Sequence, residues 1–253
     1  MTTNVDYYDA LAQDYHLFYR DWDAALEREG MALKRWFGER DIKTVLDASC
    51  GPGTQAVALA KIGYRVLASD PSAGMLRRAH DHAQAHGVLD RINFLRASFL
   101  DLSKMSEGDL DAIITKGNAF PHLLTDTDIE ETVQGFYRLL RPGGIVLIGM
   151  MDFEPYIEDR PRFLPGRVHD PENNDGQQTI TFEVWDWQEE PSLTVTVHKF
   201  VVSGSGSNYQ TRVYPIKYRA LTAEEVQVVL LEAGFKDIQI IHDRAELVMI
   251  GTK

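Results

Sequence analysis

Residues 44–70 constrain this chain more than any other stretch. The apolar run Val45–Leu46 ends in Asp47, and the chain then turns through Ala48-Ser49-Cys50-Gly51-Pro52-Gly53. A helix-forming segment, Thr54–Ile62, leads into a second apolar run, Arg65–Ser69, that ends in Asp70. That order sets both acids at the carboxyl ends of two parallel strands, the place where open α/β sheets bind ligands.

The alternation continues. Strands are expected at Thr44–Asp47, Arg65–Ser69, Ile92–Arg96, Ala112–Lys116 and Ile145–Met150. Helices at Thr54–Ile62, Ala73–His86 and Asp126–Leu140, with a short connection near Ser103–Glu107, lie between them. Arg141-Pro142-Gly143-Gly144 stops the last helix before its strand. Apolar strands separated by amphipathic helices imply a parallel sheet wound on both faces. Residues 6–37 read as helical, with Tyr8, Leu11, Tyr15, Phe18, Tyr19, Trp22 and Leu26 at mixed three- and four-residue spacing. Residues 152–176, rich in Pro, Asp, Arg and Asn, read as a long loop. Gln178–Trp187, Ser192–Ser203 and Asn208–Ala220 alternate apolar and polar residues, the pattern of an antiparallel hairpin or three-stranded sheet. Thr222-Ala223-Glu224-Glu225 reads as a capping box opening a helix through Glu232, which Gly234 ends. Ile238–Ile241 and Leu247–Gly251 supply closing strands.

The expected fold class is therefore α/β: a Rossmann-like, doubly wound, mostly parallel seven-stranded sheet with an antiparallel sheet inserted after the fifth strand. One domain spans residues 1–253. Within it, 1–40 form a helical lid, 41–151 a cofactor-binding core, 152–220 an insertion for substrate or subunit contact, and 221–253 the closing helix and strands. A homo-oligomer built on the insertion is one reading of it.

Composition narrows the partners. A formal net charge of -12 disfavours nucleic acid, whose phosphates need a clustered Lys/Arg surface. The single cysteine, Cys50, allows no intramolecular disulfide, and no Cys/His set has zinc spacing, so no metal is expected. No apolar run approaches the roughly 20 residues that span a bilayer, and Met1–Asp6 lack the basic start and apolar core of a signal peptide. The expectation is a cytoplasmic protein with a small-molecule partner, away from membranes.

Gly51 and Gly53 have a mechanical reason to be glycine, because a ligand crossing the first strand end must approach the backbone closely. A dinucleotide fingerprint would place a third small residue at Ala56, which its looser form tolerates, so glycine count does not decide the ligand. No Walker lysine follows, which removes a P-loop. Asp47 ahead of the turn suits a cationic or amino-bearing ligand better than pyrophosphate. Asp70 lies about 20 residues beyond the glycines, where an acid reaches ribose hydroxyls; its alternative role is to cap the helix beginning near Ala73, which Ser72 could also do. Met75 packs either on an adenine or in the helix core.

Taken together, Asp47-Ala48-Ser49-Cys50-Gly51-Pro52-Gly53, Asp70 and Arg141-Pro142-Gly143-Gly144 resemble the motifs of class I S-adenosylmethionine-dependent methyltransferases. The resemblance implies S-adenosyl-L-methionine as cofactor, with Asp47, Ser49 and Gly51 around its methionine portion and Ala97, Ser98 and Phe99 beside its adenine. Lys116-Gly117-Asn118-Ala119-Phe120-Pro121-His122 is similar to a segment of the glycine and sarcosine N-methyltransferases and related small-molecule N-methyltransferases. By that resemblance Asn118 faces the donor methyl and accepts a hydrogen bond from a substrate amine, with His122 a further site residue and Lys116 on the cofactor. Tyr15, Tyr19 and Trp22 are candidate lid residues, Tyr15 being both a cofactor contact and a catalytic candidate.

Methyl transfer from a sulfonium is an in-line displacement in which positioning and desolvation do much of the work. It needs neither a metal nor a covalent enzyme nucleophile. The glycine-methylating enzymes place a carboxylate-clamping arginine after the fifth strand, where this chain reads Met150-Met151-Asp152. Arg160, Arg162 and Arg167 are alternatives, and Trp185, Trp187, Tyr209, Tyr214 and Tyr218 could roof a pocket or form a subunit interface. The reading is methylation of a small-molecule amine; the competing ones are O- or C-methylation of a hydroxylated or carboxylated metabolite, a nucleotide-dependent oxidoreductase, and a non-catalytic S-adenosyl-ligand binder.

Overall fold

The computed structural model describes residues 4–12, 15, 21–169, 177–243 and 246–253. Strands β1 (Thr44–Asp47), β2 (Arg65–Ser69), β3 (Ile92–Leu95), β4 (Leu110–Thr115) and β5 (Leu140–Met151) are followed by β6 (Phe163–His169), β7 (Gln178–Gln188), β8 (Thr194–Ser205) and β9 (Asn208–Arg219). The last two are β10 (Lys236–Asp243) and β11 (Glu246–Thr252). The main sheet has seven strands in the order β10-β11-β5-β4-β1-β2-β3. β1 to β5 are mutually parallel, and β11 runs antiparallel to both β5 and β10. The mostly parallel, seven-stranded expectation holds.

Apolar residues on successive positions bury both faces, since strand side chains alternate. Val45 and Ile114 join Leu33, Trp36, Phe37 and Leu59 from α2 (Trp22–Phe37) and α3 (Thr54–Lys61), together with Ala83 of α4 (Ala73–Ala85). Leu46 and Ile113 pack on the other face, against Leu102 of α5 (Phe99–Leu102), Val133 and Phe136 of α6 (Asp126–Leu139), and Leu230 of α8 (Ala223–Glu232). Gly53, at φ +92, lets α3 approach α4 so closely that a Cβ there would lie 3.1 Å from the Ala79 backbone. The strand order reverses at β1, which opens a crevice between the carboxyl ends of β1 and β4.

A third cluster lies outside the main sheet. β6 to β9 form a four-stranded antiparallel sheet in sequence order. Its inner face packs Trp185, Val195, Val197, Tyr214, Ile216 and Tyr218 against Phe153 and against Tyr7 and Leu11 of α1 (Asn4–Leu11).

Several expectations need correction. The 6–37 helix is two helices: Asp21 caps α2 by accepting from the Ala24 amide at 3.0 Å, while Phe18 and Tyr19 lie outside the described residues. The 152–176 loop contains α7 (Glu154–Asp159) and strand β6, so the inserted sheet has four strands rather than two or three. Pro165 and Gly166 hid β6, yet an edge strand with a register shift between Pro165 and Val168 tolerates both. The connection expected near Ser103–Glu107 has its helical turn earlier, at α5, where Ser98 and Asp101 form a reciprocal capping box. The Thr222–Glu225 capping box is present.

Candidate active site

A cleft of about 240 Å³ opens at the carboxyl ends of β1, β2 and β4. Gly51 forms its floor at φ +51, and no atom lies within 4 Å of where a Cβ would stand. The turn is therefore a cradle with open space above its backbone. Asp70 closes one side: its carboxylate accepts from the Gly51 amide and the Ser72 amide, each at 2.9 Å. Two oxygens with about four acceptor sites leave capacity for further donors such as ribose hydroxyls. The capping alternative falls to Ser72, whose hydroxyl accepts from the Met75 amide at 3.1 Å. Burial lifts the Asp70 carboxyl to about 6 despite those two amides.

Asp47 sits behind the turn rather than on the cleft wall. It is buried; Oδ1 accepts weakly from the Ser49 amide at 3.4 Å, and Oδ2 has no partner among the described residues. Burial pushes this carboxyl up to about 7. A buried carboxylate oxygen without a partner costs roughly 1–3 kcal/mol or more, so this orphan favours an electropositive group nearby. The open cradle, the ribose-ready acid and this orphan fit an S-adenosyl ligand.

A second cavity, of about 340 Å³, adjoins the first beneath the inner face of the antiparallel sheet. Tyr8, Tyr15 and Gly117 line both. Its remaining walls include the aromatic residues Tyr7, Phe153, Trp185 and Tyr218, and its charged groups among the described residues are Glu183 and Lys199. These two are directly opposed on β7 and β8: Lys199 Nζ donates to Glu183 Oε1 at 2.6 Å, and Trp185 Nε1 donates to Oε2 at 2.8 Å.

Where the cavities meet, Gly117 (φ +70) and Asn118 (φ +65) turn the chain sharply after β4. Asn118 Oδ1 accepts from the Met151 amide at 3.1 Å, and its side chain also hydrogen-bonds Tyr218. His122 follows, its Nδ1 lying 3.2 Å from the Lys217 carbonyl and its Nε2 2.7 Å from the Tyr8 hydroxyl. A carbonyl only accepts, so Nδ1 carries the hydrogen. In the neutral ring Nε2 must then accept, and Tyr8 donates. Burial holds the imidazole down to about 4, so it is neutral at pH 7. Its ring stacks on Tyr218 at 4.5 Å, and Tyr218 in turn hydrogen-bonds Tyr8.

Of the residues expected on the cofactor, Tyr15, Ser49, Gly51, Asp70, Ser98, Phe99 and Lys116 line the cleft. Asp47, Gly53, Met75 and Ala97 do not; Met75 is fully buried within α4 packing. The Lys116 ammonium is engaged elsewhere: Glu29 of α2 lies at 2.7 Å, Glu246 of β11 at 3.0 Å, and the Trp36 ring at 4.7 Å. Asn118 and Tyr15 line the second cavity, and His122 the first. Trp22 packs on His82 and lines neither, and Tyr19 lies outside the described residues. Arg160 and Arg162 are paired with Glu189 and Asp186 away from both cavities. Of the aromatic candidates, Trp185 and Tyr218 line the second cavity, Tyr214 and Trp187 pack in the cluster beneath the sheet, and Tyr209 is exposed.

Sequence reasoning missed Tyr8, Asp9, Glu183 and Lys199. Asp9 accepts from the Ser72 hydroxyl at 2.6 Å and the Gly74 amide at 2.8 Å, which moors α1 to the start of α4 beside the cleft. Glu183 and Lys199 did carry a signal: opposite charges at inward-facing positions of two strand faces that carry no other charged residue.

Residues 45–144 match the family model described as a methyltransferase domain. The glycine/sarcosine N-methyltransferase of Halorhodospira halochloris is 30% identical over 138 residues, which cover 54% of this chain and 51% of that protein. This chain thus spans about half the length of the relatives it matches in sequence. DesVI of Streptomyces venezuelae has the same fold at TM-score 0.75 and 17% identity, over 96% of this chain and 97% of its own. The S-adenosylmethionine-bound amino pentose methyltransferase CalS10 of Micromonospora echinaspora does so at TM-score 0.73 and 17% identity, over 96% of both chains. The strand order, the glycine cradle between two strand-end acids and these matches together support a class I S-adenosylmethionine-dependent methyltransferase.

Proposed function

We propose that this chain methylates a small-molecule acceptor held in the 340 Å³ cavity, and that the acceptor atom is an amine nitrogen. One observation carries the reading: the cradle cleft and the aromatic cavity are contiguous, with Tyr8, Tyr15 and Gly117 common to both. A ligand in each would meet there. The donor, when bound, supplies a methyl group already activated on a sulfonium sulfur. The protein's work is then to orient, to exclude water and to manage one proton.

Asp70 would hold the ribose, and Asp47, buried behind the turn, would favour the α-ammonium through its charge rather than by contact. Tyr7, Tyr8, Tyr15, Trp185 and Tyr218 present ring faces, which favour the cationic nitrogen that forms as the N–C bond closes. Asn118, fixed at a left-handed φ by the Gly117 turn and by the Met151 amide, would orient the nitrogen lone pair. The proton shed by nitrogen would have a path from Tyr218 to Tyr8 and on to Nε2 of His122, which accepts from the Tyr8 hydroxyl. Relatives in sequence act on glycine and sarcosine, and a relative in fold on an amino pentose, which supports nitrogen over oxygen or carbon.

The test has two arms. Calorimetry with S-adenosylhomocysteine and with NAD should give a response to the first alone; the reverse would sink the reading. A methyl-transfer screen over amines, amino acids, amino sugars and phenols should then find turnover among the amines. Turnover confined to phenols would move the acceptor atom to oxygen, and donor binding without turnover would favour a sensor.

A further inference from the structure

The wall of the 340 Å³ cavity carries its charge, among the described residues, as one pair on facing strands. Lys199 donates to Glu183 Oε1 at 2.6 Å, and Trp185 Nε1 donates to Oε2 at 2.8 Å. The two charged side chains are only 22% and 23% exposed. A carboxylate has two oxygens and about four acceptor sites, so Glu183 keeps about two beyond those bonds. Glu183 lines the cavity, which puts those sites within reach of an occupant. The proposed methyl transfer uses neither member of the pair, since Asn118, Tyr218, Tyr8 and His122 serve the nitrogen and its proton.

Charge then sorts the groups that an acceptor can bring. A carboxylate reaching Lys199 would lie against Glu183, because only 2.6 Å separates the two side chains. Other cations are committed elsewhere: Lys116 to Glu29 and Glu246, Arg160 to Glu189, and Arg162 to Asp186. A second ammonium on the acceptor would meet Lys199 in the same way. A hydrocarbon group would cover the remaining acceptor sites of Glu183 with nothing to donate, and desolvating an ionised oxygen without a donor is costly. A hydroxyl adds no charge and supplies the donor. We propose that the acceptor is a hydroxyl-bearing amine that carries no carboxylate, its hydroxyl donating to Glu183.

The rest of the cavity fits such a molecule. Tyr7, Phe153, Trp185 and Tyr218 offer ring faces to its hydrocarbon surface. A volume of about 340 Å³ lies near the lower end of the roughly 300–1,000 Å³ of ligand pockets, which suits one small ring or a short branched chain. Tyr218 joins the two polar regions: it hydrogen-bonds Asn118 at the junction with the donor cleft and lies within electrostatic reach of Lys199. The amine would then lie beside Asn118 and the hydroxyl beside Glu183. For the nitrogen, and for it alone, this rests on the amine methylation proposed above.

Cyclohexylamine, the positional isomers of aminocyclohexanol and the matching aminocyclohexanecarboxylic acids are probes alike in ring and amine. Calorimetry on the protein loaded with S-adenosylhomocysteine should show one aminocyclohexanol binding about 10-fold more tightly than cyclohexylamine, and the carboxylic acids binding more weakly than either. Glu183→Gln removes the like charge that bars a carboxylate from Lys199. In that variant the best carboxylic acid should gain roughly 10-fold while the aminocyclohexanol loses as much, whereas a merely structural pair would shift all the probes together. Tightest binding by a carboxylic acid in the parent protein, equal binding of the probes, or no binding of any overturns the proposal. So does an unchanged order in a Glu183→Gln protein whose circular dichroism matches the parent's, and the parent's own order decides even where that variant misfolds. Binding in the expected order without methyl transfer supports the cavity assignment and sinks the amine methylation instead.

Discussion

Lys116→Met is the substitution whose outcome the structure specifies most fully. The Lys116 side chain is 2% exposed and sits between Glu29 and Glu246, at 20% and 27%. Burial works against its ammonium, yet the two carboxylates hold its pKa above the ordinary lysine value. The cluster carries one cation and two anions, so removing the cation leaves two acids facing each other without compensation. Breaking a buried pair from one side costs roughly 3–5 kcal/mol. Both acids retain some water contact, and Glu29 keeps the Gln55 amide at 3.2 Å, which places the expected loss at the lower end, about 3 kcal/mol. For a chain of this size that is a melting-temperature drop of roughly 6–12 °C. Glu246→Gln should behave differently. Burial outweighs Lys116 at this carboxyl and raises its pKa, so the ionised form is held at a cost. Its neutral isostere should shift stability by less than ~1 kcal/mol, or raise it. Urea unfolding of both variants, at unchanged m-value, decides the matter. A Lys116→Met protein within ~1 kcal/mol of the parent, or a Glu246→Gln loss as large as that of Lys116→Met, would refute the idea that one ammonium holds this corner.

The site makes further commitments. Asp70→Ala should weaken S-adenosylhomocysteine binding by about 1–3 kcal/mol, the cost of lost charged hydrogen bonds, and unchanged affinity by calorimetry would remove Asp70 from the site. Affinity for S-adenosylmethionine should climb as pH rises through the ranges of Asp70, about 6, and Asp47, about 7, because a cationic ligand favours their ionised forms. The ligand-free protein should respond in the opposite sense. Both carboxyls bind protons more readily folded than unfolded, so stability declines as pH rises from about 4 toward 7 and recovers on acidification, which thermal melts across that range would measure. His122→Phe should lower kcat by roughly 100-fold or more, with donor affinity changed far less, if the imidazole receives the acceptor's proton. Because His122 titrates near 4, the pH–rate profile should show no inflection at 6.5 from this residue.

The fold was legible where local chemistry and global packing agree. Val45–Leu46 are buried on both faces, and Val66 and Ala68 are buried with Leu67 half-buried between them, so apolar runs punctuated by acids and glycines read directly as parallel strands. The cofactor cleft was legible for the same reason: Gly51 and Asp70 stand at strand ends, where local sequence fixes position. Elements that depend on distant partners were not. β6 is an exposed edge strand containing Pro165 and Gly166, and only its pairing with β7 makes it a strand. Lys116, expected on the cofactor by resemblance, lines the cleft, but the partners of its ammonium, Glu29 and Glu246, lie 87 residues before it and 130 after it.

The same reasoning explains why the acceptor half of the site resisted sequence reading. Tyr8 on α1, Asn118 after β4, Lys199 on β8 and Tyr218 on β9 meet only because the antiparallel sheet folds back over the parallel one. Period-two alternation does separate inner from outer positions there, and once the register is known each polar residue on the inner parity becomes informative. Glu183 and Lys199 bring charge into the cavity wall among Tyr7, Phe153, Trp185, Val197 and Tyr218, and their mutual pairing, with Trp185 on the second carboxylate oxygen, makes it affordable there. Such a pair is worth little as a source of stability. On the proposed reading, its position in the wall of the cavity that Tyr8 and Asn118 also line makes it a candidate determinant of which acceptors enter. On that reading, acceptor selectivity would reside in cross-strand register and donor binding in the short loops at adjacent strand ends, so the two could diverge independently.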